Sequence, residues 1–176
     1  MRAGVDEHAR EFVAGAMARF GLGSDSFVVE VGSKDGYLLR HVVGRWIRCL
    51  GIEPCVETGK AARDQGVPTL TASLDPALGA RIRATNGPAD LVIANDTYLT
   101  APDVPGFTTG LRALVADDGW ISVEEPAEDG TLTAVRRALA TGGLSVVEVE
   151  PLPVRGSARM WVRPDEAAPG PLTEVR

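Results

Sequence analysis

Apolar positions near the start of the chain recur at helical spacing. Val5, Ala9, Phe12, Val13, Ala16, Met17 and Phe20 predict a covering helix, and Gly21 is its stop. The pattern then alternates between short β-rich runs and longer helical periods. Strands are predicted over 27–32, 49–53, 67–70 and 90–95, and helices over 36–47, 57–65, 75–84 and 104–115. A fifth strand follows over 119–123, then a helix over 132–140 that stops at Gly142-Gly143. Such alternation is the mark of βαβ units and a parallel sheet. The last two apolar runs, 145–150 and 158–162, have only PLPVRGS between them, too little for a crossover helix, so they predict an antiparallel hairpin. The expected fold is α/β: a mostly parallel, seven-stranded, Rossmann-like sheet with a terminal antiparallel hairpin and helices on both faces. One domain over 1–163 is expected, with a flexible tail over 164–176 rich in Pro, Ala, Glu and Gly.

The stretch FVVEVGSKDG at 27–36 concentrates the candidate chemistry. Phe27, Val28, Val29 and Val31 suit a strand buried on both faces, and Glu30 interrupts them near its end. Gly32 and Gly36 allow backbone to approach a ligand where a Cβ would block it, and backbone N–H groups are expected to line this turn. Asp35 is expected to cap the helix that follows. The second strand ends Gly51-Ile52-Glu53-Pro54, which sets a carboxylate 17 residues past Gly36. In doubly wound folds an acid at the end of the second strand, roughly 20 residues past the glycine turn, takes ribose hydroxyls.

Composition narrows the classes. The net charge is −6 and the arginines are scattered as Arg45/Arg48, Arg81/Arg83 and Arg136/Arg137, so no nucleic-acid surface is expected. No 18-residue apolar span or signal-peptide core occurs, which predicts no membrane partner and a cytoplasmic location. Cys49 and Cys55 are the two cysteines, too few for a zinc cluster, and both are expected to be reduced and structural. Met160 and Trp161 on the strand at 158–162 suggest either an exposed homodimer edge or inward packing of the indole.

The motifs together resemble those of S-adenosylmethionine-dependent methyltransferases, and more narrowly the C-methyltransferases that act on deoxysugars and related natural-product intermediates. The glycine turn of that family, E-x-G-S-N-D-G, is matched by Glu30, Gly32, Ser33, Asp35 and Gly36, with Lys34 in place of the asparagine. Gly51, Glu53 and Pro54 match G-x-E/D-P, and Gly66, Val67, Pro68 and Thr69 match G-I/V-P-T. Ala94-Asn95 ends the fourth strand, Pro102-Asp103 follows, Glu124 and Pro126 end the fifth, and LPVRGS is similar to a late LPVHGGS. The likeness runs over about 5–163. The family's cysteine-rich zinc module, its C-terminal extension and the Tyr-His-Glu-His stretch after its fifth strand have no counterpart in these residues, so a shortened form is expected. The histidine expected after the fourth strand is replaced by Thr100.

The resemblance implies S-adenosylmethionine as cofactor and a small-molecule acceptor. It assigns Glu30, Gly32, Ser33, Lys34 and Gly36 to the methionine end, Glu53 with Pro54 to the ribose, Ser73 and Leu74 to the adenine, and Asn95 with Asp96 to the floor. Lys34 is expected to point to solvent or to the cofactor carboxylate. Candidates for the proton-transfer group are Glu124, Asp96 and His8, with Glu125 and Tyr98 behind them. Two other readings stay open: a methyltransferase-like protein that has lost transfer and serves an accessory step, and a nicotinamide-dependent oxidoreductase. Lys34 weighs against the oxidoreductase, because it stands where a dinucleotide turn needs its second glycine.

Overall fold

The computed structural model describes residues 2–128, 130–152 and 156–165. Its strands are β1 (Phe27–Val31), β2 (Arg48–Ile52), β3 (Thr69–Leu70), β4 (Ala89–Ile93), β5 (Val115–Pro126), β6 (Leu144–Pro151) and β7 (Ser157–Pro164). Its helices are α1 (Arg2–Phe20), α2 (Leu39–Val43), α3 (Val56–Asp64), α4 (Pro76–Asn86), α5 (Val104–Leu114) and α6 (Thr131–Thr141). One sheet runs β3-β2-β1-β4-β5-β7-β6. β1 to β5 are parallel, and β7 pairs antiparallel with both β5 and β6. The α/β class, the parallel majority and the closing hairpin are as expected.

Burial explains the layers. All five residues of β1 are buried, as a central parallel strand requires. Alternate β1 side chains feed two cores. Val29 and Val31 pack with residues of α4, α5 and α6, while Val28 packs beneath α1 and α2 with Leu91, Ile93 and Trp161. Ala9, Phe12, Val13 and Ala16 form the buried face of α1, at the predicted spacing. Phe12 stacks on Trp161 with ring centroids 6.1 Å apart, and Phe20 packs on Trp120 at 4.8 Å and on Trp161 at 4.9 Å. Burying a Phe side chain stabilises by roughly 1.5–3 kcal/mol, so this aromatic contact fixes α1 over the sheet face that carries Val28, Leu91 and Ile93. Asp6 adds a polar fastening to α2, where Arg40 and the His41 Nε2 (2.9 Å) both reach its carboxylate.

Four expectations change. β7 is not an edge strand: it lies between β5 and β6, with Met160 and Trp161 buried, which removes the exposed strand on which the dimer edge rested. The expected helix over 36–47 shrinks to α2, because residues 36–38 form turns before the helix starts. Asp35 caps nothing there: Leu38 is the N-cap position and makes no side-chain cap bond. Residues 164 and 165, expected to open the tail, are ordered into the fold: Pro164 ends β7 and the Asp165 N–H donates to the Gly143 carbonyl at 2.9 Å. Residues 153–155 of the LPVRGS motif and 166–176 of the tail lie outside the described residues.

Candidate active site

The carboxyl ends of β1, β2, β4 and β5 form one rim, where open α/β sheets bind ligands. At the end of β1, Gly32 has φ 71° and a Cβ there would overlap the Thr97 methyl group of the loop after β4. Only glycine fits that contact. The turn amides, however, are not bare. Gly32 and Ser33 donate to the Ile52 carbonyl at 2.8 and 3.3 Å, Gly36 donates to the Ser33 carbonyl at 2.9 Å, and Lys34, itself at φ 53°, donates to Glu53 Oε2 at 2.9 Å. In this turn four of the five N–H groups of 32–36 are so bonded, three of them to β2 and the residue just past its end.

What it leaves open are acceptors and hydroxyls. Among the described residues, the buried side-chain atoms without a partner are Glu30 Oε2, Ser33 Oγ and Thr97 Oγ1. Glu30 is 3% exposed and shares the α1 face of β1 with Val28. Burial raises its pKa well above the usual carboxylate range, the Lys34 charge lowers it, and Asp35 and Glu53 raise it further. An unpartnered buried carboxylate is costly, so without a ligand the group favours its protonated form, and a bound cation would favour the charged one. Ser33 Oγ fills the space that glycine leaves at Gly51, where a Cβ would overlap it. A rim with an open carboxyl oxygen and two open hydroxyls, and with most of the turn amides already bonded, offers a ligand's positively charged or N–H-bearing group a place to bind. A pyrophosphate, which draws on several free N–H donors, is poorly served by a turn in which four of five are bonded.

Glu53 is buried and braces the rim: Oε2 accepts from Lys34 N and Oε1 from Cys55 N, each at 2.9 Å. A carboxylate has about four lone-pair sites, so two remain for a diol. Pro54 beside it is exposed. Ser73 is exposed, whereas the Leu74 side chain is buried in the core under α4 and α5, so Leu74 offers a ligand its backbone and not its side chain. Cys49 is half-buried, with burial pushing its thiol up to about 11, and Cys55 is exposed; both are free thiols.

The floor is set by β4 and β5. Asn95 Oδ1 accepts from Ser122 Oγ at 2.9 Å, and the Asp96 N–H donates to the Glu124 carbonyl at 2.8 Å while its exposed carboxylate stands at a left-handed position, φ 55°. Two of the weaker candidates prove structural. Glu125 Oε1 accepts from Tyr98 N at 2.9 Å and Leu99 N at 3.2 Å, anchoring the loop after β4, and burial raises its pKa. The Tyr98 hydroxyl is buried against Thr108 Oγ1 at 2.6 Å.

His8 and Glu124, far apart in sequence, come together. His8 Nε2 lies 3.3 Å from Glu124 Oε2, and the Arg159 guanidinium holds the other oxygen, Nη2 at 2.6 Å and Nε at 2.8 Å. Arg159 continues to Glu150 (3.4 Å), which also takes Trp161 Nε1 at 2.8 Å and Arg19 at 2.8 Å. Glu124 is therefore a partnered carboxylate that orients His8. One rim residue had no signal in the motifs beyond its position after Gly36: Tyr37, half-buried, whose phenol is raised in pKa by burial and then by the charges of Glu30, Asp96, Glu124 and Asp35. Among the described residues no cluster of His, Cys, Asp and Glu suits a metal ion, and no helix is long and apolar enough to cross a membrane.

The sheet order, with its antiparallel β7 between β5 and β6, and the acceptor-lined rim define a methyltransferase-type α/β domain. The methyltransferase-domain family profile matches residues 5–163, and the chain belongs to that family, within the S-adenosylmethionine-dependent methyltransferases. Over 122 residues, 69% of this chain, it is 32% identical to C-methyltransferase NovU of Streptomyces niveus, and it spans 29% of the length of that relative. Solved structures share the fold. Magnesium protoporphyrin IX methyltransferase ChlM from Synechocystis PCC 6803, with bound SAM, aligns with TM-score 0.70 and 17% identity, covering 92% of this chain and 81% of that one. The 1,6-didemethyltoxoflavin-N1-methyltransferase of Burkholderia thailandensis aligns with TM-score 0.68 and 17% identity, covering 93% and 81%.

Proposed function

We propose that this protein transfers a methyl group from S-adenosylmethionine to a small sugar or natural-product acceptor. The observation that carries the cofactor half is the Glu30 carboxyl group, buried with an unpartnered oxygen beside the glycine turn. On this reading Glu30 and the 32–36 turn receive the methionine end, Glu53 the ribose, and the segment at Ser73 and Leu74 the adenine. The acceptor class is supported by the likeness to NovU and to a toxoflavin-precursor methyltransferase.

Bound S-adenosylmethionine supplies an electrophilic methyl on a positively charged sulfur. The chain's own task is to align an acceptor with it and to take the acceptor's proton, and alignment of this kind accounts for much of the rate. With His8 Nε2–H donating to Glu124, Nδ1 is the nitrogen with a free lone pair. His8 Nδ1 would take the acceptor's proton as the acceptor is methylated, with Glu124 holding the imidazole in place. Asp96, exposed at the rim, borders the acceptor side.

Calorimetric titration with S-adenosylmethionine and S-adenosylhomocysteine tests the reading first. Micromolar binding, about −8 kcal/mol, is expected for both, with none for NADH. Absence of binding to either sinks it. Across a panel of acceptors, His8→Ala should lower transfer by about 10²–10⁴-fold. Binding without transfer to any acceptor would favour an accessory role.

A further inference from the structure

Tyr37 follows the last glycine of the turn and packs its ring against the cluster formed by α1 and α2 residues. The Lys34 ammonium lies 5.8 Å from the centroid of that ring. A cation within about 6 Å of an aromatic face is attracted by its quadrupole. The ring therefore already serves as a cation seat, and the chain fills it with its own exposed lysine. Beside it stands a second observation that points to a cationic ligand. Glu30, 3% exposed, keeps Oε2 without a partner on the same side of the sheet. Burial first, and then the acidic groups of Glu30, Asp96, Glu124 and Asp35, raise the pKa of the Tyr37 phenol.

We infer that the face of Tyr37 reads the positive charge of the ligand's sulfonium, and that Lys34 holds this face until the ligand takes its place. The inference rests on the S-adenosylmethionine reading and deepens it, since it says how the site tells donor from product. The two ligands carry the same ammonium, carboxylate, ribose and adenine. They differ by the methyl group and its charge. Once the methyl has left, the sulfur is neutral, the attraction to the ring is gone, and the Lys34 ammonium can return to it. The spent ligand is then held less tightly than the fresh one.

The test is the ratio of the two affinities, measured by calorimetry on the wild type, Tyr37→Leu and Tyr37→Phe. Tyr37→Leu should weaken S-adenosylmethionine about tenfold, within the range of a partly desolvated cation–π contact, and change S-adenosylhomocysteine less than about threefold. Tyr37→Phe keeps the ring and should stay within about threefold of wild type for both. Equal loss of both ligands in Tyr37→Leu overturns the inference and makes the residue a packing element or a contact to the shared ammonium. No loss of either overturns it as well, and so does a Phe variant as weak as Leu, which would assign the effect to the hydroxyl. If the wild type binds neither ligand, the cofactor reading itself fails, a result separate from all of these.

Discussion

The carboxylates at the ends of β1 and β5 face the same side of the sheet and are treated in opposite ways. Glu30 is buried with one oxygen unpartnered, whereas Glu124 has His8 on one oxygen and the Arg159 guanidinium on the other. The first arrangement spends stability to keep an acceptor ready for something the chain does not itself provide. The second is complete, and it ties α1, β5, β6 and β7 into one frame through Glu150, Arg19 and Trp161. Unmet valence marks where a ligand is received, and met valence marks what holds the receiving geometry in place.

Arg159→Ala attacks the frame and should have the largest effect. It leaves Glu124 buried and without its cation, which costs about 3–5 kcal/mol, so thermal unfolding should show Tm lower by roughly 10 °C. A double variant with Glu124→Gln should recover much of that loss, because no uncompensated charge stays behind.

Glu53→Ala lies between the two regions. It removes the acceptor of two backbone amides and the proposed ribose contact together. Titration should show S-adenosylmethionine affinity down about 10- to 100-fold, with a small drop in Tm. A Tm loss without any change in affinity would move Glu53 wholly into the frame.

Glu30→Gln has the smallest effect and the opposite sign. Because burial raises the Glu30 pKa above its ordinary 4.5, the folded chain holds a proton that the unfolded chain releases. The stability from this group is full below the unfolded value and is lost as pH rises through the raised folded one. Replacing Glu30 by Gln should flatten that part of the Tm-against-pH curve and raise the neutral-pH Tm by roughly 2–5 °C, while weakening S-adenosylmethionine. A lower Tm would mean that Glu30 is partnered in solution, and the contrast with Glu124 would vanish.

Local chemistry settled what was local. The helical stripe of α1, the apolar run of β1 and the missing crossover before β7 follow from spacing and propensity, so the fold class and strand count were legible. The glycine turn and the acids Glu30 and Glu53 were legible for the same reason: a strand end, a left-handed residue and a strand-end carboxylate are each written within a few neighbours. Contacts across the chain were not. That His8 meets Glu124, 116 residues away, depends on how α1 lies over the sheet. The same is true of Glu125, which became a loop anchor, and of β7, which became an interior strand, whereas the inward packing of Trp161 was one of the two readings its strand offered. The state of the turn amides was also hidden, since Ile52 and Glu53, which accept from Gly32, Ser33 and Lys34, stand on the neighbouring strand and just past its end. Sequence fixes which groups can bond within a turn or a period. Which groups find partners, and which are left open for a ligand, is decided only when distant strand ends are brought to one rim, because hydrogen bonds and desolvation act over a few ångströms of space and not along the chain.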